Sequence, residues 1–200
     1  MTYIIKELKQ QGRWEQEQYI SAKGLVPVVE ELGLFSDRII GVEIGVAGGW
    51  NMNYFLSKLP KLFLTGIDPF AAYQETRGSD GQVVWVGQEV LDEHHAAALA
   101  NIADYPSGRI IRSKSLDTVN VFKDESLDYV FIDGDHSYDA VLDDCRAFYS
   151  KVRSGGVFAG HDIGLGTVQS AIKDFAAETP GLDIANLLTT EHAVWYWYKP

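Results

Sequence analysis

Cysteine is nearly absent: Cys145 is the single one in 200 residues. That excludes an intrachain disulfide and any four-cysteine zinc site. It lies in a helix-like stretch, Asp139 to Tyr149, where a structural thiol is expected rather than a nucleophile. Long apolar runs are also missing, because charged residues interrupt every one short of bilayer-spanning length. The opening MTYIIKELKQQGRWEQEQ lacks the apolar core of a signal peptide. These absences set the expectation of a soluble, cytoplasmic protein with no membrane partner. Positive charge is scarce too: 17 Lys and Arg face 28 Asp and Glu, a net charge of −11. Sequence-independent nucleic-acid binding relies on basic side chains neutralising phosphate, so such a partner is not expected. Most of the acidity reads as solvated surface.

What remains is an ordinary globular mixture, 46% hydrophobic and 22% charged, with no repeat or low-complexity tract. The length suits one domain. Residues 14–34 carry helical spacing (Tyr19, Ile20, Leu25, Val28, Val29, Leu32) ending near Gly33, with Pro27 marking a break or a new start. We divide the chain into an N-terminal helical segment, 1–37, and a main unit, 38–200. In the main unit, apolar strand-like runs begin at Arg38, Leu62, Arg109, Leu127 and Gly155. Helix-like stretches cover 51–59, 89–103, 137–152 and 167–178. Segment 70–88 reads as irregular, a candidate lid or acceptor wall bearing Tyr73, Arg77 and Trp85. Two strand-like runs, from Asp183 and from Ala193, close the chain. They are too near each other for a helical crossover, so the last strand is expected to be antiparallel at or near an edge. The fold class is α/β, a Rossmann-like doubly wound sheet that is mostly parallel.

Doubly wound sheets bind ligands beyond the carboxyl ends of their strands. The chain's unusual polar residues fall there. Val42-EIGVAGGWN places Glu43, Gly45, Gly48 and Gly49 around the first strand end. The dinucleotide pattern G-x-G-x-x-G fails, since Ala47 and Trp50 occupy its second and third glycine places. Asp68 ends the second strand, where a carboxylate can hold a ribose diol or simply cap a turn before Pro69. Asp133-GDH and His161-Asp162 end two further strands. Their carboxylates and imidazoles suit a divalent cation or a general base, while helix capping and a buried structural histidine are the plain alternatives. His94 and His95 fall mid-helix and are read as surface residues.

Taken together, Val42-EIGVAGG, Thr65-GIDPF, Ser113-KS, Phe131-IDGDHSYDAV, Gly155-GVFAGHD and the closing aromatic strand resemble class I S-adenosylmethionine-dependent methyltransferases. More narrowly, they resemble the methyltransferase 24 type group, related to metal-dependent O-methyltransferases such as catechol O-methyltransferase. The resemblance covers roughly residues 38–200 and implies a seven-stranded sheet whose last strand is antiparallel. It implies that Glu43, Gly45, Gly48 and Gly49 line the methionine part of the cofactor. Asn51 falls where relatives hold the cofactor carboxylate, Asp68 binds the ribose and Ser115 lies near the adenine. Asp133 matches the first metal aspartate. His161 and Asp162 stand where the family carries an Asp-Asp or Asp-Asn pair. That histidine widens the metal from magnesium to manganese or another nitrogen-tolerant ion, or leaves none. His136 stands at the place of a catalytic lysine.

The reading is methyl transfer from S-adenosylmethionine to a small-molecule hydroxyl, with His136 as base and a divalent cation assisting. Two rivals stay open on the sequence. One is a metal-dependent oxygenase or hydrolase built on Asp133, His136 and His161. The other is a non-catalytic nucleoside-binding protein. Homo-oligomerisation through the WYWY strand is a further possibility left open.

Overall fold

The computed structural model describes residues 21–34, 36–77 and 82–200. Residues 1–20, which include Tyr19 and Ile20 of the N-terminal segment, lie outside them. A 3-10 turn (Ser21–Leu25) leads into α1 (Val26–Leu32), with Pro27 in its first turn, where the missing N–H costs nothing. The order then runs β1 (Ile39–Ile44), α2 (Trp50–Lys58), β2 (Leu62–Asp68), β3 (Tyr73–Arg77), β4 (Gln82–Val86), α3 (Gln88–Ile102) and β5 (Gly108–Arg112). It continues through α4 (Ser115–Thr118), β6 (Leu127–Ile132), α5 (Tyr138–Tyr149), β7 (Val152–Gly160), α6 (Gly166–Glu178), β8 (Leu188–Thr190) and β9 (Val194–Tyr198).

Seven strands form one sheet in the order β5-β2-β1-β6-β7-β9-β8. Neighbours from β5 to β7 are parallel, and β9 is antiparallel to both β7 and β8. Strand order reverses between β1 and β6, which opens the ligand crevice at their carboxyl ends.

Period-two alternation gives the sheet two apolar faces. On one, Leu64, Tyr129 and Phe131 pack with Val29 of α1, Phe55 of α2 and Leu91 and Ala98 of α3. On the other, Val42, Val130, Phe158 and Trp195 pack with Leu142, Cys145 and Phe148 of α5 and Ile172 and Phe175 of α6. Cys145 is a buried free thiol, in keeping with its structural reading. Trp195 and Trp197 of the closing strand are buried inside the fold. Among the described residues, no helix is long and apolar enough to cross a membrane.

Three expectations need correction. Segment 70–88 is not irregular: it carries the antiparallel hairpin β3–β4, with Tyr73 opposite Val86 and Gln74 opposite Trp85. The run from Asp183 is mostly not a strand. The Asp183 carboxylate accepts the Ala185 N–H and sets a 3-10 turn, leaving only three residues for β8. The strand expected at Gly155 starts earlier, at Val152, and runs through a bulge in its pairing with β6 instead of following a turn.

Candidate active site

Four strand ends are stitched by backbone hydrogen bonds that extend the sheet into its loops. Gly45 N–H donates to Ile67, Asp133 N–H to Ile44, His161 N–H to Ile132 and Ser113 N–H to Asp68. The residues that follow are therefore held side by side along one crevice.

The loop after β1 is built on tight backbone. Gly45 takes φ +85° and Gly49 φ +76°, a region where a Cβ is costly. A Cβ on Gly45 would also strike the Asp133 carbonyl, and one on Gly49 would come 2.9 Å from the Ala98 Cα in α3. Gly48 differs, because the atoms nearest a Cβ there all belong to the Trp50 ring. Asn101 Nδ2 donates to the Gly48 carbonyl at 2.8 Å and fixes the loop from α3.

Asp68 organises this loop and its own. One carboxylate oxygen accepts the N–H groups of Val46 (2.9 Å) and Ala47 (3.1 Å), and the other accepts the Phe70 N–H (2.7 Å). These bonds hold Ala47 (φ 45°) and Phe70 (φ 44°) in the left-handed region. Asp68→Ala is therefore expected to loosen both loops and weaken binding of S-adenosylhomocysteine at least tenfold by calorimetry. Undiminished binding would show that neither Asp68 nor the loops it holds touch the ligand.

Glu43 is 3% exposed at the end of β1. Burial pushes its carboxyl well above the usual range, and the charges of Asp133 and Asp68 add to that. Asn51 stands in the first turn of α2, where its Oδ1 accepts the Ala22 N–H at 3.3 Å. That contact brings the 3-10 turn to the crevice.

Ser115 donates its hydroxyl to Asp144, a buried carboxylate on α5. Burial raises the Asp144 pKa to about 6, with the Ser115 hydrogen bond acting the other way. The folded chain thus holds a proton that the unfolded chain releases near pH 4. Stability falls as pH rises from about 4 to about 6, and the cost persists above that, on the order of 3 kcal/mol at ~1.4 kcal/mol per unit. Asp144→Asn keeps an acceptor for Ser115 and removes the charge. It is expected to raise the urea midpoint at pH 8 and leave it unchanged at pH 4; equal shifts at both would contradict this.

The last four residues converge. His136 Nε2 lies 3.1 Å from Asp162 Oδ2 and 3.5 Å from Asp133 Oδ1. Neither contact is aligned as a hydrogen bond, so this buried nitrogen has none. His161 Nδ1 lies 3.3 Å from the same oxygen of each carboxylate. Asp133 raises the His136 pKa against the effect of burial, and Asp162 adds to it. Burial lowers that of His161, but hydrogen bonds to Asp133 and Asp162 outweigh it and push it up to about 10. Ligand atoms of Asp133, His136 and Asp162 lie within 4.8 Å of one another, so the tightest donor set includes His136 beside the two aspartates. Asp135 is spent on capping, since its Oδ1 accepts the Ser137 N–H before α5.

Some neighbours had no signal in the sequence. Gln88 and Arg112 both donate to the Phe70 carbonyl and to Asp92, clamping the base of the β3–β4 hairpin beside Asp68. His94 and His95 are half-buried, not surface residues. His94 meets the Trp50 ring edge-on and His95 tilts against Phe70.

A family model described as a methyltransferase domain matches residues 42–163. The chain belongs to that family and is a class I S-adenosylmethionine-dependent methyltransferase. Solved structures with the same fold include the O-methyltransferase NovP (19% identity, TM-score 0.61, 97% of this chain and 88% of that one). They also include the TDP-rhamnose 3'-O-methyltransferase CalS11 of calicheamicin biosynthesis (16%, 0.56, 99% and 88%). A third is a Staphylococcus aureus protein provisionally assigned as a caffeoyl-CoA O-methyltransferase (16%, 0.57, 99% and 98%). No curated protein matches the sequence.

Proposed function

We propose that the protein methylates a hydroxyl of a small molecule with the assistance of a divalent cation. The observation that carries this reading is the convergence of Asp133, Asp162, His136 and His161 at the end of the cofactor crevice. The three structural relatives named above are O-methyltransferases by name, which agrees with it. The donor set fits a cation: two carboxylates face each other's imidazole partners, and the buried His136 nitrogen has no hydrogen bond of its own. Mixed oxygen and nitrogen donors suit manganese better than magnesium.

Asp133 and Asp162 would hold the cation with His161, whose ring faces both. Such a cation lowers the pKa of a bound hydroxyl. His136, the more open imidazole at 42% side-chain exposure against 19% for His161, accepts the hydroxyl proton as the acceptor oxygen attacks. The O–C bond forms as the C–S bond of the sulfonium breaks, giving a methyl ether and S-adenosylhomocysteine. Asp68 and the Gly45 loop hold the donor, which makes the displacement one of orientation. A second reading follows from the tight set Asp133–His136–Asp162, in which His136 is itself a ligand. Loss of Mn²⁺ binding in His136→Ala supports that reading, and retained binding with lost turnover supports the base.

The test is transfer of labelled methyl from S-adenosylmethionine to a panel of sugar-nucleotide, phenol and catechol hydroxyls. Turnover is expected to fall at least tenfold in EDTA and to return with Mn²⁺. Full activity in EDTA removes the cation, and label found only on amines removes the hydroxyl.

A further inference from the structure

The turn between β8 and β9 is strained at two consecutive residues. His192 takes φ 62° and Ala193 φ 59°, a conformation costing roughly 1–2 kcal/mol at each non-glycine residue. Such strain persists only where surrounding contacts hold it. The contacts come from the loop after β7. Ile163 N–H donates to the Ala193 carbonyl at 3.0 Å, and Trp195 Nε1–H donates to the His161 carbonyl at 3.0 Å. The third lies between His161 Nε2 and the His192 carbonyl, at 2.8 Å. A carbonyl can only accept, so Nε2 carries a hydrogen. That leaves Nδ1 as the nitrogen turned toward Asp133 and Asp162, 3.3 Å from each. Ligating histidines are commonly oriented in this way, by a second N–H bonded to a backbone carbonyl. The family model ends at residue 163, so the turn lies beyond the matched residues.

We propose that His161 is a positioning link between the β8–β9 turn and the carboxylate pair: the His192 carbonyl fixes the ring so that Nδ1 faces the Asp133–Asp162 site. The turn is then part of the active site although none of its side chains enters it. The cation arm of this inference rests on the proposed function; the tie between ring and turn does not.

Two substitutions of His161 separate its two nitrogens. Asparagine places an amide oxygen near the position of Nδ1 but is too short to reach the His192 carbonyl. Glutamine places an amide N–H near the position of Nε2 and leaves the Nδ1 position vacant. Two readouts are followed in full-length protein: Mn²⁺ affinity by calorimetry, and hydrogen exchange of the Ile163 amide and the Trp195 indole by NMR. His161→Asn is expected to speed exchange at least tenfold and, with its amide no longer held by the turn, to lose Mn²⁺ affinity by more than threefold. His161→Gln is expected to keep slow exchange and to lose at least tenfold in Mn²⁺ affinity. Exchange unchanged in His161→Asn, Mn²⁺ affinity unmoved there while exchange speeds up, or exchange as fast in His161→Gln as in His161→Asn overturns the proposal. If wild type binds no Mn²⁺, the cation reading fails and the exchange arm alone decides the link.

Discussion

Gly45→Ala is expected to yield a protein that no longer binds S-adenosylhomocysteine measurably and unfolds more readily than wild type. The residue combines φ +85° with a site where a Cβ would strike the Asp133 carbonyl. The first effect costs roughly 1–2 kcal/mol. The second cannot be relieved by a side-chain rotation, because the obstacle is backbone at the end of the buried strand β6. A combined loss of about 3 kcal/mol or more is expected, which lowers Tm by roughly 6–12 °C in a chain of this size. Relief would come by pushing the loops after β1 and β6 apart, so the Gly45 loop and the Asp133 carboxylate would be misplaced together. Gly48→Ala is the control. The atoms nearest its Cβ are those of the Trp50 side chain, not backbone, and binding should fall far less. A Gly45→Ala protein that binds and melts like wild type would contradict the architecture described for the crevice.

Asp133→Asn is expected to lower kcat by 10²-fold or more while binding of S-adenosylhomocysteine stays within a few fold. Its carboxylate, like that of Asp162, faces both imidazoles, 3.5 Å from His136 and 3.3 Å from His161. The amide keeps the shape and removes the charge. Without that charge a cation loses its central ligand, and the pKa values of His136 and His161 fall because Asp133 helps to raise both. Mn²⁺ affinity should drop in parallel with kcat. Unchanged turnover would remove Asp133 from the chemistry, and lost cofactor binding would reassign it to the donor side.

The sheet was largely readable from the sequence because its signals are physical and local. Val42-EIG and Val130-FID alternate or run apolar as buried strands must, and each ends in residues suited to a turn. Site residues at those ends followed from the rule that ligands sit at strand carboxyl ends. What escaped notice has equally physical causes. The β3–β4 hairpin was hidden because YQETR is polar and its strands pair only with each other. Asp68 reads in sequence as a ribose ligand or a turn cap, but that its two oxygens accept three backbone amides, two of them from the loop after β1, depends on loop geometry. Asp144 is an acid among helix residues with nothing to mark it as buried; only the fold brings Ser115 to it. The hold of His192 on His161 is made by a carbonyl that every residue possesses, so no choice of side chain announces it.

One titration tests the methyl-donor crevice most directly. S-adenosylhomocysteine added to the wild-type protein in a calorimeter should give a single saturable site, with Kd about micromolar and unaffected by EDTA, as expected if the proposed Gly45 loop, and not the carboxylate pair, holds the donor. No heat of binding up to millimolar ligand, from protein shown to be folded, would contradict the central claim that this crevice is a methyl-donor site.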